Sequence, residues 1–148
     1  MHELRSKWDN GYKYTSSVIS LMDEQQYRLK PSEQEMTFSE QLIHLTDNML
    51  WLSSTYLTTQ KPSFKPKEFG GRDKKALTAM ADSSFRFVAM VIENFDPEDL
   101  EDEIVFGNNK MTKRQIFLLI NDHLTHHRAQ MIVYLRIAGI APPKYVGW

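Results

Sequence analysis

Apolar residues recur at helical spacing in four separate segments of the chain. In the first, His2 to about Asp23, the positions Leu4, Trp8, Tyr12, Thr15, Ile19 and Met22 step by three or four and make one continuous stripe. Gly11 sits inside that stripe and costs a helix about 1 kcal/mol relative to alanine, so packing has to compensate. The second segment, Phe38 to about Tyr56, has Phe38, Leu42, Leu45, Met49, Leu52 and Tyr56 on one face. The third, about Asp73 to Phe95, has Leu77, Met80, Ser84, Phe87, Val91 and Phe95. The fourth runs from Thr112 to about Ala138.

The segment ends have their own chemistry. Thr37 with Glu40, and Thr112 with Gln115, are capping boxes, in which each side chain satisfies a backbone N–H at the helix start. Arg136 suits the negative end of the last helix, Gly139 suits a left-handed residue just past it, and Pro142-Pro143 blocks continuation. Pro31 interrupts the chain between the first two segments. The stretch "TTQKPSFKPKEFGGRDKK" has two prolines, a glycine pair and no periodicity, and it is long enough to cross one end of a bundle. "EIVF", "GNNK" and "MT" read as a short hairpin, the one place where strands are expected. Four amphipathic helices of roughly 20 residues, each about 30 Å long, predict an all-α four-helix bundle in a single domain spanning 1–148.

Composition narrows the function. The chain of 148 residues has a net charge of −1 and no cysteine, so disulfides, thiolate ligands and a cysteine nucleophile are excluded. The absence of a basic run argues against nucleic acid as a partner. No apolar run reaches the roughly 18 residues that a membrane span needs, and the charged start "MHELRSKWDN" is no signal peptide, so a cytoplasmic protein without a membrane partner is expected.

The stretch "NDHLTHHRAQ" holds three of the five histidines, His123, His126 and His127. Residues three or four apart on a helix lie side by side, so His123 can grip a metal ion together with either His126 or His127. The line Ile116, Ile120, His123, His127, Gln130 and Tyr134 faces the core and favours His127, while Leu119, His123, His126 and Gln130 leave His126 open. A third ligand is available at His44, at the edge of the second stripe, with Asn48 and Trp51 on its side. Three imidazoles with open positions mark a catalytic rather than a structural metal, and water on zinc in such a site ionises near neutral pH. The competing reading is a set of core histidines hydrogen-bonded to Asn48, Gln130 or Tyr134 without an ion.

Other chemistries lack support. There is no GxxxxGK[ST] or GxGxxG loop, "FGGR" belongs to the linker, and the serine pairs have no GxSxG setting. The paired Glu-x-x-His motifs of di-iron bundles are absent too.

Three blocks of the chain together resemble the DinB-like family, the superfamily of YfiT-like proteins and bacillithiol S-transferases, which is distinct from the DNA polymerase sharing the DinB name. "MTFSEQLIHLTDNMLW" is similar to the family's second helix, "HLTHHRAQMIVYLRIAG" to its HxxxHRxQ helix, and "APPKYVGW" to its C-terminal end. The resemblance implies an up-down-down-up bundle with a crossover linker, and a divalent metal, zinc or nickel, held by His44, His123 and His127. It removes His126 from the ligand set, implies a homodimer, and places Arg128 and Gln130 in the motif as second-shell or pocket residues, beside Asn48, Trp51 and Tyr134. Ala129 stands where the family has glycine, a small change for ligand geometry. Characterised relatives are thiol-dependent transferases or isomerases. The expected function is therefore a metal-dependent enzyme that activates a thiol or water against a small electrophile, as an S-transferase or hydrolase. With no cysteine here, a low-molecular-weight thiol co-substrate would come from solution. The alternative is a non-catalytic bundle that binds a small molecule or protein partner and keeps a vestigial or structural metal.

Overall fold

The computed structural model describes residues 1–148. Four helices form: α1 (His2–Leu21), α2 (Phe38–Tyr56), α3 (Lys74–Asn94) and α4 (Lys113–Ile137). Both capping boxes are present, with Thr37 and Glu40 closing the start of α2, and Thr112 and Gln115 that of α4. Asp73 lies outside α3 as its N-cap, accepting from the Ala76 amide, because a short carboxylate satisfies a free N–H better from there than from inside the helix. Gly139, at φ +75°, takes the left-handed position after α4.

Contacts fix the helix directions. Trp8 donates its indole N–H to the Phe85 carbonyl and Tyr12 donates to Asp82, so α1 and α3 run antiparallel. Phe38 packs against Tyr134 while His44 meets His123, so α2 and α4 are antiparallel too. Gly11 lies against Leu124, and the start of α1 shares a cleft with Leu118 and Asn121, so α1 and α4 run the same way. This is the up-down-down-up order. The parallel pair α2 and α3 needs the crossover, and the linker is not featureless: it makes a 3₁₀ turn at Pro66–Phe69 with Pro66 buried.

The stripes bury largely as expected, with one rotation. On α3 the core takes Phe85 and Val88, while Phe87 is only partly buried. Phe85 wins because it stacks between Trp8 and Tyr12 of α1. The glycine in α1 is explained by a close approach. A β-carbon at Gly11 would stand 3.1 Å from Leu124 Cδ2.

The hairpin comprises β1 (Glu103–Phe106) and β2 (Asn109–Thr112), paired antiparallel. Its turn is tighter than "GNNK", because Gly107 at φ +60° lets two residues reverse the chain and frees Asn109 to pair with Phe106. No helix is long and apolar enough to cross a membrane.

Candidate metal centre

Helices α2 and α4 face each other across the bundle, and each turns histidines into the interface. His44 lies nearly two turns into α2, and His123 and His127 stand one turn apart near the middle of α4. One ligand atom from each of the three rings lies within 4.8 Å of the others, so the trio could hold a metal ion. His44 Nε2 and His123 Nε2 are 3.2 Å apart. Two nitrogens bound to one zinc at about 2.0–2.1 Å stand roughly 3.4 Å apart in a tetrahedral site, so this pair already has a ligand spacing.

The electrostatics suit a cation. Burial, then the neighbouring imidazoles, pull the pKa of His123 down to about 4. The same causes lower His127 to about 4. Both rings are therefore neutral at pH 7, with lone pairs available to an ion.

The ring of His127 is oriented by a residue that the sequence reading did not single out. Gln41 is fully buried, and its Oε1 lies 2.7 Å from His127 Nδ1. The amide oxygen accepts, so Nδ1 bears the proton and the Nε2 lone pair is left for a ligand role. Gln41 also lies against the Tyr134 hydroxyl, partly offsetting the upward push that burial gives its pKa. The Tyr134 hydroxyl in turn donates to the Met36 carbonyl. Gln41 was detectable in principle as an amide on the buried face of α2, three residues before His44, where the stripe calls for an apolar side chain.

The other expected site residues divide by face. Asn48 and Trp51 continue from His44 along α2 and line a cleft of about 460 Å³ together with Asp47 and Lys67. His126 points to solvent, where its Nε2 lies 3.2 Å from the Gln130 amide nitrogen. Gln130 thus stands beside the trio, on its outer edge. Arg128 is buried on the α1 side of α4, its guanidinium stacked on the Tyr14 ring at 4.8 Å and its Nη1 reaching the Gly11 carbonyl at 3.4 Å. Neither of its hydrogen-bonding partners, Gly11 and Thr125, is a carboxylate or a metal-trio residue. His2 lies at the first turn of α1, in a different cleft.

Comparison with known proteins matches residues 2–147 to the DinB family. Among solved structures, the chain is similar to a DinB-like protein from Bacillus subtilis at 20% identity, with a TM-score of 0.80, covering 97% of this chain and 96% of that one. It is also similar to a DinB-like protein from Bacillus cereus at 16% identity, with a TM-score of 0.86, covering 99% and 97%. No curated protein matches.

Proposed function

The chain belongs to the DinB family, and from that premise we propose that it is a metal-dependent enzyme acting on a small electrophilic molecule, with His44, His123 and His127 as ligands of a zinc or nickel ion. The observation that supports this reading best is the convergence of three imidazoles from two helices, two of them held neutral by burial. A divalent ion held there would supply Lewis acidity for activating a thiol or a water. The chain's own part is positional. Gln41 holds the His127 ring and its proton in place, and His44, the most open of the three, leaves one side of the site accessible from the cleft. A thiol co-substrate would come from solution, because the chain has no cysteine.

A second reading has an observation of its own. His44 and His123 can share a hydrogen bond, and His127 is bonded to Gln41, so the trio is satisfied as a purely structural polar cluster. In that case the bundle binds a molecule or partner without turnover.

Elemental analysis of protein purified without a nickel column separates the readings. We expect close to one bound ion per chain in the wild type and loss of it in a His123→Ala, His127→Ala double variant. Equal metal content in the two would remove the proposed centre. Thiols screened with electrophiles in the presence of added metal should then show turnover that His44→Ala abolishes. A homodimer belongs to the same proposal, supported by Val133 and Ile137, which are 45% and 51% exposed on α4 one turn apart. Sedimentation of the same sample as a monomer would remove that part.

A further inference from the structure

The cleft beside His44 has features that three metal ligands do not explain. His44, Asn48 and Trp51 lie at i, i+4 and i+7 on α2, so they share one face and span about 10 Å along the helix axis. The cleft volume, about 460 Å³, falls within the range of roughly 300–1,000 Å³ typical of small-molecule sites. Its far end is aromatic. Trp51 is 47% exposed, yet one side of its ring packs on an aromatic pair, Tyr56 at 6.1 Å and Phe106 at 6.0 Å between centroids, which lie 5.6 Å from each other. The hairpin thus brings Phe106 against the indole, beside Tyr56. Midway, the Asn48 amide makes no hydrogen bond within the protein, and its Oδ1 is shielded from water. The side chain lines the cleft, so its unpartnered amide nitrogen is the atom left to donate to a ligand. At the rim, Lys67 pairs with Asp47 at 3.0 Å, so the two charges cancel and the cleft favours no net charge in the part of a ligand lying beyond the ion.

We propose that this face of α2 is the ligand groove of the site, selecting small molecules that carry a neutral planar apolar group about two helical turns from a metal-binding head. Trp51 supplies the stacking surface for that group, Asn48 hydrogen-bonds a polar atom in the connecting chain, and Phe106 positions the indole. The inference rests on the metal reading above and extends it to the class of ligand.

The test uses the full chain loaded with Co²⁺ and two hydroxamates, acetohydroxamate and 4-phenylbutanohydroxamate. Both have the same metal-binding head, and only the second reaches Trp51 with a ring. Visible absorption of the cobalt protein reads the binding of each. The arylated probe should bind roughly tenfold more tightly than acetohydroxamate, the scale of one aromatic stack with its buried area. Trp51→Ala should erase that advantage and leave acetohydroxamate affinity unchanged, and Trp51→Phe should restore part of it. A third hydroxamate, that of N-benzoylglycine, has an amide in a connecting chain of the same length and should lose affinity on Asn48→Leu, whereas 4-phenylbutanohydroxamate should not; an equal effect on the two removes Asn48 from the groove. Equal affinity of the first two probes for wild type, or an aryl advantage that survives Trp51→Ala, overturns the groove. Absence of cobalt absorption bands before any hydroxamate is added overturns the metal centre itself and the groove with it, so the two failures are told apart by the first spectrum.

Discussion

At the scale of single residues, the side chain with the most leverage on the trio is one that binds nothing itself. Gln41 is sealed in the interface and fixes which nitrogen of His127 is protonated. Partners of this kind typically contribute 10–100-fold to metal affinity. We expect Gln41→Leu, a substitution of similar volume, to weaken Zn²⁺ binding by roughly that factor, measured by competition with a chromophoric chelator. Gln41→Glu keeps an acceptor opposite Nδ1 and should retain most of the affinity. Unchanged affinity in Gln41→Leu would mean that His127 orients itself by packing alone. Arg128 is the contrasting case. It shares a motif with His127 in sequence, but one position along a helix is a rotation of about 100°. That rotation turns it from the α2 interface to the α1 interface, where Tyr14 covers its guanidinium.

At the scale of elements, the α1–α4 contact is set by a glycine. Alanine at position 11 would improve helix propensity by about 1 kcal/mol. Its β-carbon would also press on the Cδ2 methyl of Leu124, which is sealed in the core at 1% exposure. Overpacking of this sort costs about 1–3 kcal/mol, so the clash should win. Urea denaturation of Gly11→Ala should show a net loss of about 1 kcal/mol, and a gain in stability would show that Leu124 yields. The hairpin has its own task at this scale. Two strands of four residues are marginal alone. The base of this pair is tied to α4 through Lys113, which bonds Asp99 and Asp102 just before β1, while Phe106 at its tip packs on Trp51 and Tyr56 of α2.

For the whole molecule, the trio links stability to pH. His123 and His127 have pKa values near 4 in the fold and an ordinary value of 6.5 when exposed. Between those values the unfolded chain binds more protons than the folded one, so stability rises with pH across that window. In the metal-free protein it should fall as pH drops from about 6.5 toward 4 and flatten, for these two groups, below that. Denaturation midpoints taken at several pH values should trace this slope, and the double variant His123→Asn, His127→Asn should reduce it. Identical profiles in the two proteins would mean that neither ring is held neutral by the fold. Saturating zinc should steepen the wild-type dependence, because protons and metal compete for the same nitrogens.

Much of this protein is set by local pattern. Capping boxes, the stop at Gly139 and the period of the apolar stripes depend on residues a few positions apart, so the helices and the three candidate ligand histidines are legible along the chain. The resemblance to a known family narrowed the histidines from two possible pairs to one, a choice that periodicity alone left open. What the chain could not reveal by itself depends on rotation and distance between elements far apart in sequence. Phe85 rather than Phe87 faces the core because α1 presents Trp8 and Tyr12 at that height. Gln41 meets His127 across 86 positions of sequence, and Phe106 reaches Trp51 through a hairpin. A stripe fixes a helical face to within tens of degrees, whereas a hydrogen bond or a ring contact needs the facing helix in place to within an ångström, and only packing of the whole bundle supplies that precision.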